Sequence, residues 1–365
     1  MACLSIYKDI SERTDGSLLL GIVGPVRTGK STFIKRFMEL LVIPNIEDIY
    51  AKERARDELP QSASGRTIMT AEPKFVPEEA VSITLGDKTA FSVRLVDCVG
   101  YMVKGASGQF EDGNERMVTT PWFDHEISMT EAAEKGTNKV ITEHSTIGLV
   151  ITTDGSVCGI PREDYIDAEE KAIFELKRIG KPFAVLINCL YPDSEDSIML
   201  CRELSEKYEV PCVCTNCLSM DEKDIENIMQ TVLGEFPISE LALKLPEWFD
   251  ALEYQYELKQ KLYSDVFEMS SSMSRVRDIT HLIEGLNSLD VLESASITSS
   301  DMGKGITEIS INLPRSLYYE IISAESGMEI KNDGELMKLL NEISKIKSEY
   351  EHYMPAIRAV NESGY

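Results

Sequence analysis

Long apolar runs are missing from this 365-residue sequence. Nowhere do about eighteen apolar residues follow one another, so no membrane-spanning helix is expected. The start, MACLSIYKDISERTD, carries acidic residues and lacks the basic-then-apolar pattern of an export signal, so export is not expected either. Basic charge is scarce: 37 Lys and Arg face 62 Asp and Glu, for a formal net charge of -25. Such a surface repels the phosphates of nucleic acids and anionic lipids, which makes a protein partner the expectation and DNA or RNA not. Histidine is rare, and none of His125, His144, His281 and His352 sits in a nucleophile–base arrangement. Cys212, Cys214 and Cys217, with Cys189 and Cys201 upstream, lack the paired C-x-x-C or histidines that complete a zinc site. They read as a buried strand end, with free thiols in a reducing cytoplasm.

What is present begins with alternation. From Leu18 to Phe236 short apolar runs alternate with helical patterns, which predicts an α/β domain with a mostly parallel sheet flanked by helices. The expected strands are LLLGIVG (18–24), VSITL (81–85), FSVRLVD (91–97), TIGLVIT (146–152), FAVLIN (183–188) and VPCVC (210–214). Only a short turn at Gly86-Asp87-Lys88 separates the second from the third, so that pair is expected to be antiparallel. The others need helical crossovers and should run parallel.

The texture changes after Phe236-Pro237, which predicts a domain boundary near residue 238 and two domains, 1–238 and 239–365, the second smaller and α+β. LPEWFDALEYQYELKQKLYSDVF places Phe249, Leu252, Tyr256, Tyr263 and Val266 at helical spacing. SSSMS (270–274) and SASITSSDMGKG (294–305) read as connections, ITEISINL as a strand. A final helix carries Leu336, Leu339, Leu340, Ile343, Ile346 and Tyr350 on one face. Both helical stripes read first as core faces of the second domain, with an assembly surface as the sharper alternative.

The most specific signal is GPVRTGKS, residues 24–31, which satisfies G-x-x-x-x-G-K-[ST] between an apolar strand and the helical run STFIKRFMELL. Gly24 and Gly29 permit backbone conformations and close approaches that side chains would block, so that successive amides point at phosphate oxygens. The helix start adds the positive end of its dipole. Lys30 can reach the β- and γ-phosphates, and the Ser31 hydroxyl is a hard oxygen ligand for Mg²⁺. Arg27, Thr28 and Thr32 complete the expected contacts in and just after this loop.

A second element, VRLVDCVGY, ends a strand in Asp97 with Gly100 three residues on, the D-x-x-G of switch-type P-loop proteins. Asp97 would hold Mg²⁺ through water and the Gly100 amide would bond the γ-phosphate. Between the two lies DELPQSASGRTIMTAEPKFVP (57–77), where a switch loop should run. Thr67 and Thr70 are its candidates for contacting Mg²⁺ and phosphate, Thr70 favoured, with Arg66 and Arg27 as charge stabilisers. Lys30, Asp97 and Thr70 are thus the candidate catalytic residues, and Ser31, Asp97 and Thr70 the candidate metal ligands. The segment from Tyr101 to His144 is long for a connection and is the candidate switch-coupled contact surface.

Guanine-specific relatives of this topology end the fifth main strand in Asn-Lys-x-Asp, whose carboxylate pairs with the guanine edge. Here the strand ends Asn188-Cys189-Leu190-Tyr191, and Asp193 comes two residues too late. Asn188 stays a candidate contact, but without the carboxylate the expected nucleotide is ATP rather than GTP.

With these residues in hand, the blocks YKDISERT, VRTGKSTFIK, RDELPQSA, RTIMTAEPKFVP, RLVDCVGY, EHSTIG, VITTDG and DYIDAEE resemble the stage IV sporulation protein A family over essentially the whole chain. The resemblance implies a P-loop NTPase domain of the GTPase-like (switch-type) class that has turned to ATP. It implies that hydrolysis leads to a homopolymer, the basement layer of the bacterial spore coat, in the mother-cell cytoplasm at the outer forespore surface. The family's phosphate-loop lysine falls on Lys30, its magnesium-site aspartate on Asp97 and its threonine pair on Thr70 and Ala71, which leaves Thr70 as the sensor. The family continues past the position of Tyr365 into a region associated with assembly, with other coat proteins and with docking onto a small amphipathic-helix membrane anchor. A chain without that region is expected to bind and hydrolyse ATP without polymerising or localising. Two other readings are a nucleotide-ordered scaffold with negligible turnover and a GTP-binding regulatory switch.

Overall fold

A computed structural model describes residues 2–60, 73–84, 90–106, 110–111 and 114–364. The chain divides into two compact units. The first comprises Met1–Glu240 with the short segments Ser274–Arg277 and Ser300–Ile306. It opens with α1 (Ala2–Arg13), β1 (Ser17–Val23), α2 (Lys30–Phe37) and α3 (Ile49–Asp57), followed by β2 (Lys74–Thr84) and β3 (Ala90–Asp97). The 101–144 segment holds two small hairpins, β4 (Phe110–Glu111) with β5 (Asn114–Glu115) and β6 (Met117–Val118) with β7 (Ile127–Ser128), then α4 (Met129–Glu143). The unit ends with β8 (Ile147–Thr153), α5 (Ile166–Ile179), β9 (Phe183–Asn188), α6 (Glu195–Tyr208), β10 (Cys212–Thr215) and α7 (Glu222–Leu233).

Six strands form one sheet in the order β10-β9-β8-β1-β3-β2, parallel except for β2, which pairs antiparallel with β3. Both sequence expectations, the antiparallel pair and the parallel remainder, hold. β2 begins earlier than the VSITL run because Lys74–Val76 also pair with β3, with a register shift between Val76 and Val81.

Alternation along the central strands feeds two cores. Leu18, Leu20 and Ile22 of β1, with Leu149 and Ile151 of β8 and Leu186 of β9, face a layer containing Phe33 and Phe37 of α2 and Ile225 and Ile228 of α7. Val150 of β8 and Val185 and Ile187 of β9 point the other way, to Ala132 and Val140 of α4, Ala172 and Leu176 of α5 and Leu204 of α6. Covered on both faces, these strands read as continuous apolar runs. Gly21 and Gly148 occur where α4 and α5 come closest: a Cβ on Gly21 would lie 2.7 Å from Ser145 Cβ, and one on Gly148 2.9 Å from Leu176 Cδ2.

One charge lies deep in this unit. Glu169 of α5 is fully buried, yet it accepts hydrogen bonds from Arg162 Nη2 at 2.8 Å, from Tyr208 Oη at 2.8 Å and from the Thr152 hydroxyl. The network ties the end of β8 to α5 and α6, and so braces the 154–165 loop from below.

The second unit comprises Leu241–Met273, Asp278–Ser299 and Thr307–Tyr365. Its elements are β11 (Glu240–Lys244), α8 (Glu247–Asp250), α9 (Glu257–Ser271), α10 (Asp278–Asn287), β12 (Ser294–Asp301), β13 (Ile306–Asn312), α11 (Arg315–Ser326) and α12 (Asp333–Ser363), with sheet order β11-β13-β12. Three sequence expectations need correction here. The 294–305 stretch, read as a connection, is mostly the edge strand β12, whose serines and threonine face solvent while Ala295 is buried. The helical pattern around Trp248 is broken into α8 and α9, joined by Lys259, whose Nζ donates to the carbonyls of Asp250 and Leu252 at 2.9 Å each. Of the expected stripe, Phe249 and Val266 are buried and Leu252, Tyr256 and Tyr263 half-buried. The stripe on α12 is not a core face: Leu336 and Leu339 are half-buried, and Leu340, Ile343, Ile346 and Tyr350 are exposed.

Replacing Arg162 by Met would leave the Glu169 carboxylate buried without its cation. The expected cost is about 3–5 kcal/mol of unfolding free energy, read from urea denaturation; an unchanged midpoint would show that the network carries no stability.

Candidate functional site

The loops that follow β1, β3, β8 and β9 meet at the end of the parallel strands, the edge at which open α/β sheets bind ligands. The loop from Gly24 to Lys30 is shaped by three positive-φ residues, Gly24 (130°), Arg27 (67°) and Gly29 (95°). Its glycines are demanded by approach as well as by φ. A Cβ on Gly24 would lie 2.4 Å from the Ile151 carbonyl oxygen of β8, and one on Gly29 2.3 Å from Asn188 Nδ2 at the end of β9. Gly100, φ 92°, is tighter still: its Cβ would meet Gly24 O at 2.2 Å and Lys30 Nζ at 2.6 Å. Two backbone bonds zip the loop to the segment after β3, Tyr101 N to Gly24 O at 3.1 Å and Val26 N to Tyr101 O at 2.9 Å.

Lys30 opens α2 and is almost wholly buried, its ammonium donating to Pro25 O at 2.6 Å and Gly24 O at 3.4 Å. Burial pushes it below the ordinary lysine value, opposed by its electrostatic interactions with Cys98 and Asp97. Ser31, next on the helix, donates its hydroxyl to Asp97 Oδ2 at 2.7 Å. The other carboxylate oxygen, Oδ1, is buried and has no hydrogen-bond partner among the described residues. Burial pushes Asp97 above the ordinary carboxylate value, opposed by the Ser31 hydrogen bond and by Lys30 and Lys74. Cys98, whose thiol donates to Ile22 O at 3.2 Å, is pushed up to about 11 by burial.

The remaining expected residues fall into place differently. Asn188 Nδ2 donates to Thr28 O at 2.9 Å while its Oδ1 accepts from Cys217 N at 3.0 Å. Both ends of its amide are engaged by protein, so it joins the phosphate loop to the turn after β10. The Thr28 hydroxyl is buried and donates to Pro25 O at 3.0 Å, which leaves Thr28 its backbone to offer a ligand. Thr32 lies half-buried in the first turn of α2. Arg27 lies close enough to the 154–165 loop for its charge to oppose the burial that raises Cys158 and Tyr165. Arg66, Thr67 and Thr70 lie outside the described residues.

Sequence reasoning missed the 154–165 loop as a wall of this site. Asp154 Oδ1 accepts from Ser156 N at 2.9 Å and Ser156 Oγ at 2.6 Å, and Ser156 Oγ accepts in turn from Leu190 N at 3.0 Å. The block VITTDG was visible, but nothing in it says that Ser156 reaches the loop holding Leu190 and Tyr191. At that loop Tyr191 is exposed where a guanine-reading carboxylate would stand. The cysteines gather near its far side: Cys214 donates to Ser197 O at 3.2 Å and Cys201 to Cys212 O at 3.1 Å. No metal-holding cluster of His, Cys, Asp or Glu occurs among the described residues, and none of the described helices is long and apolar enough to cross a membrane.

Comparison with known proteins agrees with this geometry. A family model described as stage IV sporulation protein A, ATPase domain, matches residues 1–237, and a second, its middle domain, matches residues 238–365. The chain is 46% identical over 361 residues to stage IV sporulation protein A of Clostridioides difficile, covering 99% of this chain and 74% of that protein. It is 46% identical to the protein of that name from Bacillus anthracis and 44% to that from Bacillus subtilis, each over 100% of this chain and 74% of the relative.

The contact at Gly100 gives a direct test. Gly100→Ala must push apart the Gly24 carbonyl and the Lys30 ammonium, so affinity for a fluorescent adenine nucleotide is expected to fall about tenfold or more. Unaltered binding would show that the close approach is not needed.

Proposed function

The chain belongs to the stage IV sporulation protein A family, and from that membership and the site's geometry we propose that it binds ATP with Mg²⁺ and hydrolyses it to drive assembly of a spore-coat basement layer. The observation that carries the chemistry is the Ser31–Asp97 pair, 2.7 Å apart, with Asp97 Oδ1 buried and unpartnered among the described residues beside the Lys30 ammonium. A hydroxyl and a carboxylate are the hard oxygen donors that Mg²⁺ takes, and a cation there would offset the burial that now raises Asp97. Ser31 would hold the metal directly and Asp97 through water, with Thr70 as a third contact. Bound there, Mg²⁺ would neutralise charge on the β- and γ-phosphate oxygens.

The protein's own groups supply the rest. Lys30, now turned onto the Pro25 and Gly24 carbonyls, has the reach to exchange them for phosphate oxygens. The amides from Arg27 to Ser31 and the start of α2 face the same anion. Gly100, against Gly24 and Lys30, would report the γ-phosphate through its amide, and Arg27 would meet developing charge. Thr70 is the sensor in this reading.

Adenine rather than guanine is supported by Tyr191, which stands where the guanine-reading carboxylate of related folds would be. The two domains of the reading are 1–238, which carries the nucleotide, and 239–365. The partner of assembly is the chain itself, in the mother-cell cytoplasm at the forespore surface. Other coat proteins and a small amphipathic-helix membrane anchor dock through the C-terminal part of the family.

Lys30→Ala is expected to lower the rate of ATP hydrolysis about 100-fold or more, and Asp97→Asn to weaken its dependence on Mg²⁺. Turnover in the Lys30 variant equal to wild type would overturn the assignment. GTP is expected to be hydrolysed at least about tenfold less efficiently than ATP, and a preference for GTP would overturn the adenine reading. Assembly driven equally well by a non-hydrolysable ATP analogue would favour a nucleotide-ordered scaffold.

A further inference from the structure

The 31-residue helix α12 carries an apolar face that the described residues of its own unit leave uncovered. From Leu340 to Tyr353 every residue is exposed, including Ile346 at 65% and Tyr353 at 61%. Helices in water draw most of their stability from packing one face, so so long an unpacked helix with an apolar stripe calls for a partner. The stripe has a definite period. Leu336, Leu339, Ile343, Ile346, Tyr350 and Tyr353 follow at alternating intervals of three and four residues, the spacing that sets them on one face and that the seam of a coiled coil uses. Pro355, which interrupts the helical hydrogen bonding, comes after this run and on the outward side of the helix.

We propose that α12 is a self-association helix that pairs with α12 of a second copy of the chain as a parallel, in-register coiled coil. Charge selects both partner and direction. With Leu336, Ile343 and Tyr350 at the first core position, the flank just before each is Glu335, Glu342 and Glu349, and the opposite flank is Leu340, Lys347 and Met354. In a parallel pair, Glu342 of one copy meets Lys347 of the other, twice by symmetry. An antiparallel pair would set the glutamate flank against itself. Leu340 widens the seam, and the two tyrosines keep their hydroxyls at its wet margin more readily in two strands than in the interior of three. The inference deepens the assembly half of the proposed function by naming a surface and its partner, and it makes no use of the nucleotide site.

The test is made on the whole chain without nucleotide. Ile346→Cys is expected to form a covalent dimer readily under mild oxidation, because the parallel register sets that position against itself, whereas Ser348→Cys on the outer face is not. Sedimentation equilibrium should show two copies, weakened about three- to tenfold in dissociation constant by Glu342→Lys and restored by Glu342→Lys with Lys347→Glu. All these positions are exposed, and circular dichroism checks that the variants fold. A single copy at tens of micromolar, equal cross-linking at positions 346 and 348, or a charge swap without rescue would each overturn the seam. A chain that is monomeric without nucleotide yet hydrolyses ATP and assembles would overturn this inference alone; a cross-linked dimer without turnover would overturn only the ATPase reading.

Discussion

Everything at the candidate site depends on how closely three glycines can approach their neighbours. Gly24 runs against the Ile151 carbonyl of β8, Gly29 against the Asn188 side-chain amide at the end of β9, and Gly100 against the Gly24 carbonyl and the Lys30 ammonium. Each approach is shorter than a Cβ would allow, and each joins the loop to a different strand end. The loop is therefore held from three sides, and its left-handed turns at Gly24, Arg27 and Gly29 are positions that the sheet imposes.

The second constraint is electrostatic. Lys30 and Asp97 are both buried, and burial acts against the charge of each, so the site holds a cation and an anion at a cost offset by their mutual attraction and by the Ser31, Pro25 and Gly24 contacts. A group carrying several negative oxygens together with a divalent ion relieves both at once. The same logic recurs at Glu169, where the buried charge is fully met by Arg162, Tyr208 and Thr152 and so serves architecture. What separates the two is satisfaction: Glu169 has its partners, whereas Asp97 keeps one oxygen without any among the described residues.

Much of this was legible in advance, for reasons that differ by residue. The central strands could be read because both faces are buried, which makes them uniformly apolar, and the antiparallel β2–β3 pair because a short turn leaves no room for a crossover. Lys30 and Ser31 could be read because one loop fixes their spacing, and Asp97 because it ends a strand three residues before Gly100, whereas the bond between Ser31 and Asp97, 66 positions apart, is a tertiary contact. β12 was misread because an edge strand exposed on both faces from Ser296 to Ser300 has the serine-rich composition of a loop. The α12 stripe was misread because an apolar face has the same pattern whether its partner is the same chain or another. That the Asn188 amide also bridges Thr28 and Cys217 could not be read, because both partners are far from it in the chain.

By itself, then, the sequence determined the alternation of strands and helices in the first unit, the glycine-bounded loop from Gly24 to Ser31 and the missing guanine carboxylate. All of these are carried by residues local in the chain or by an absence at one position. Only the tertiary structure decided that Gly100 packs on Gly24 and Lys30, that Ser156 reaches Leu190, that Glu169 gathers Arg162 and Tyr208, and that α12 leaves its apolar face bare. These are contacts between segments far apart in the chain, or faces whose covering depends on what else is near, and no local pattern encodes which distant group will arrive.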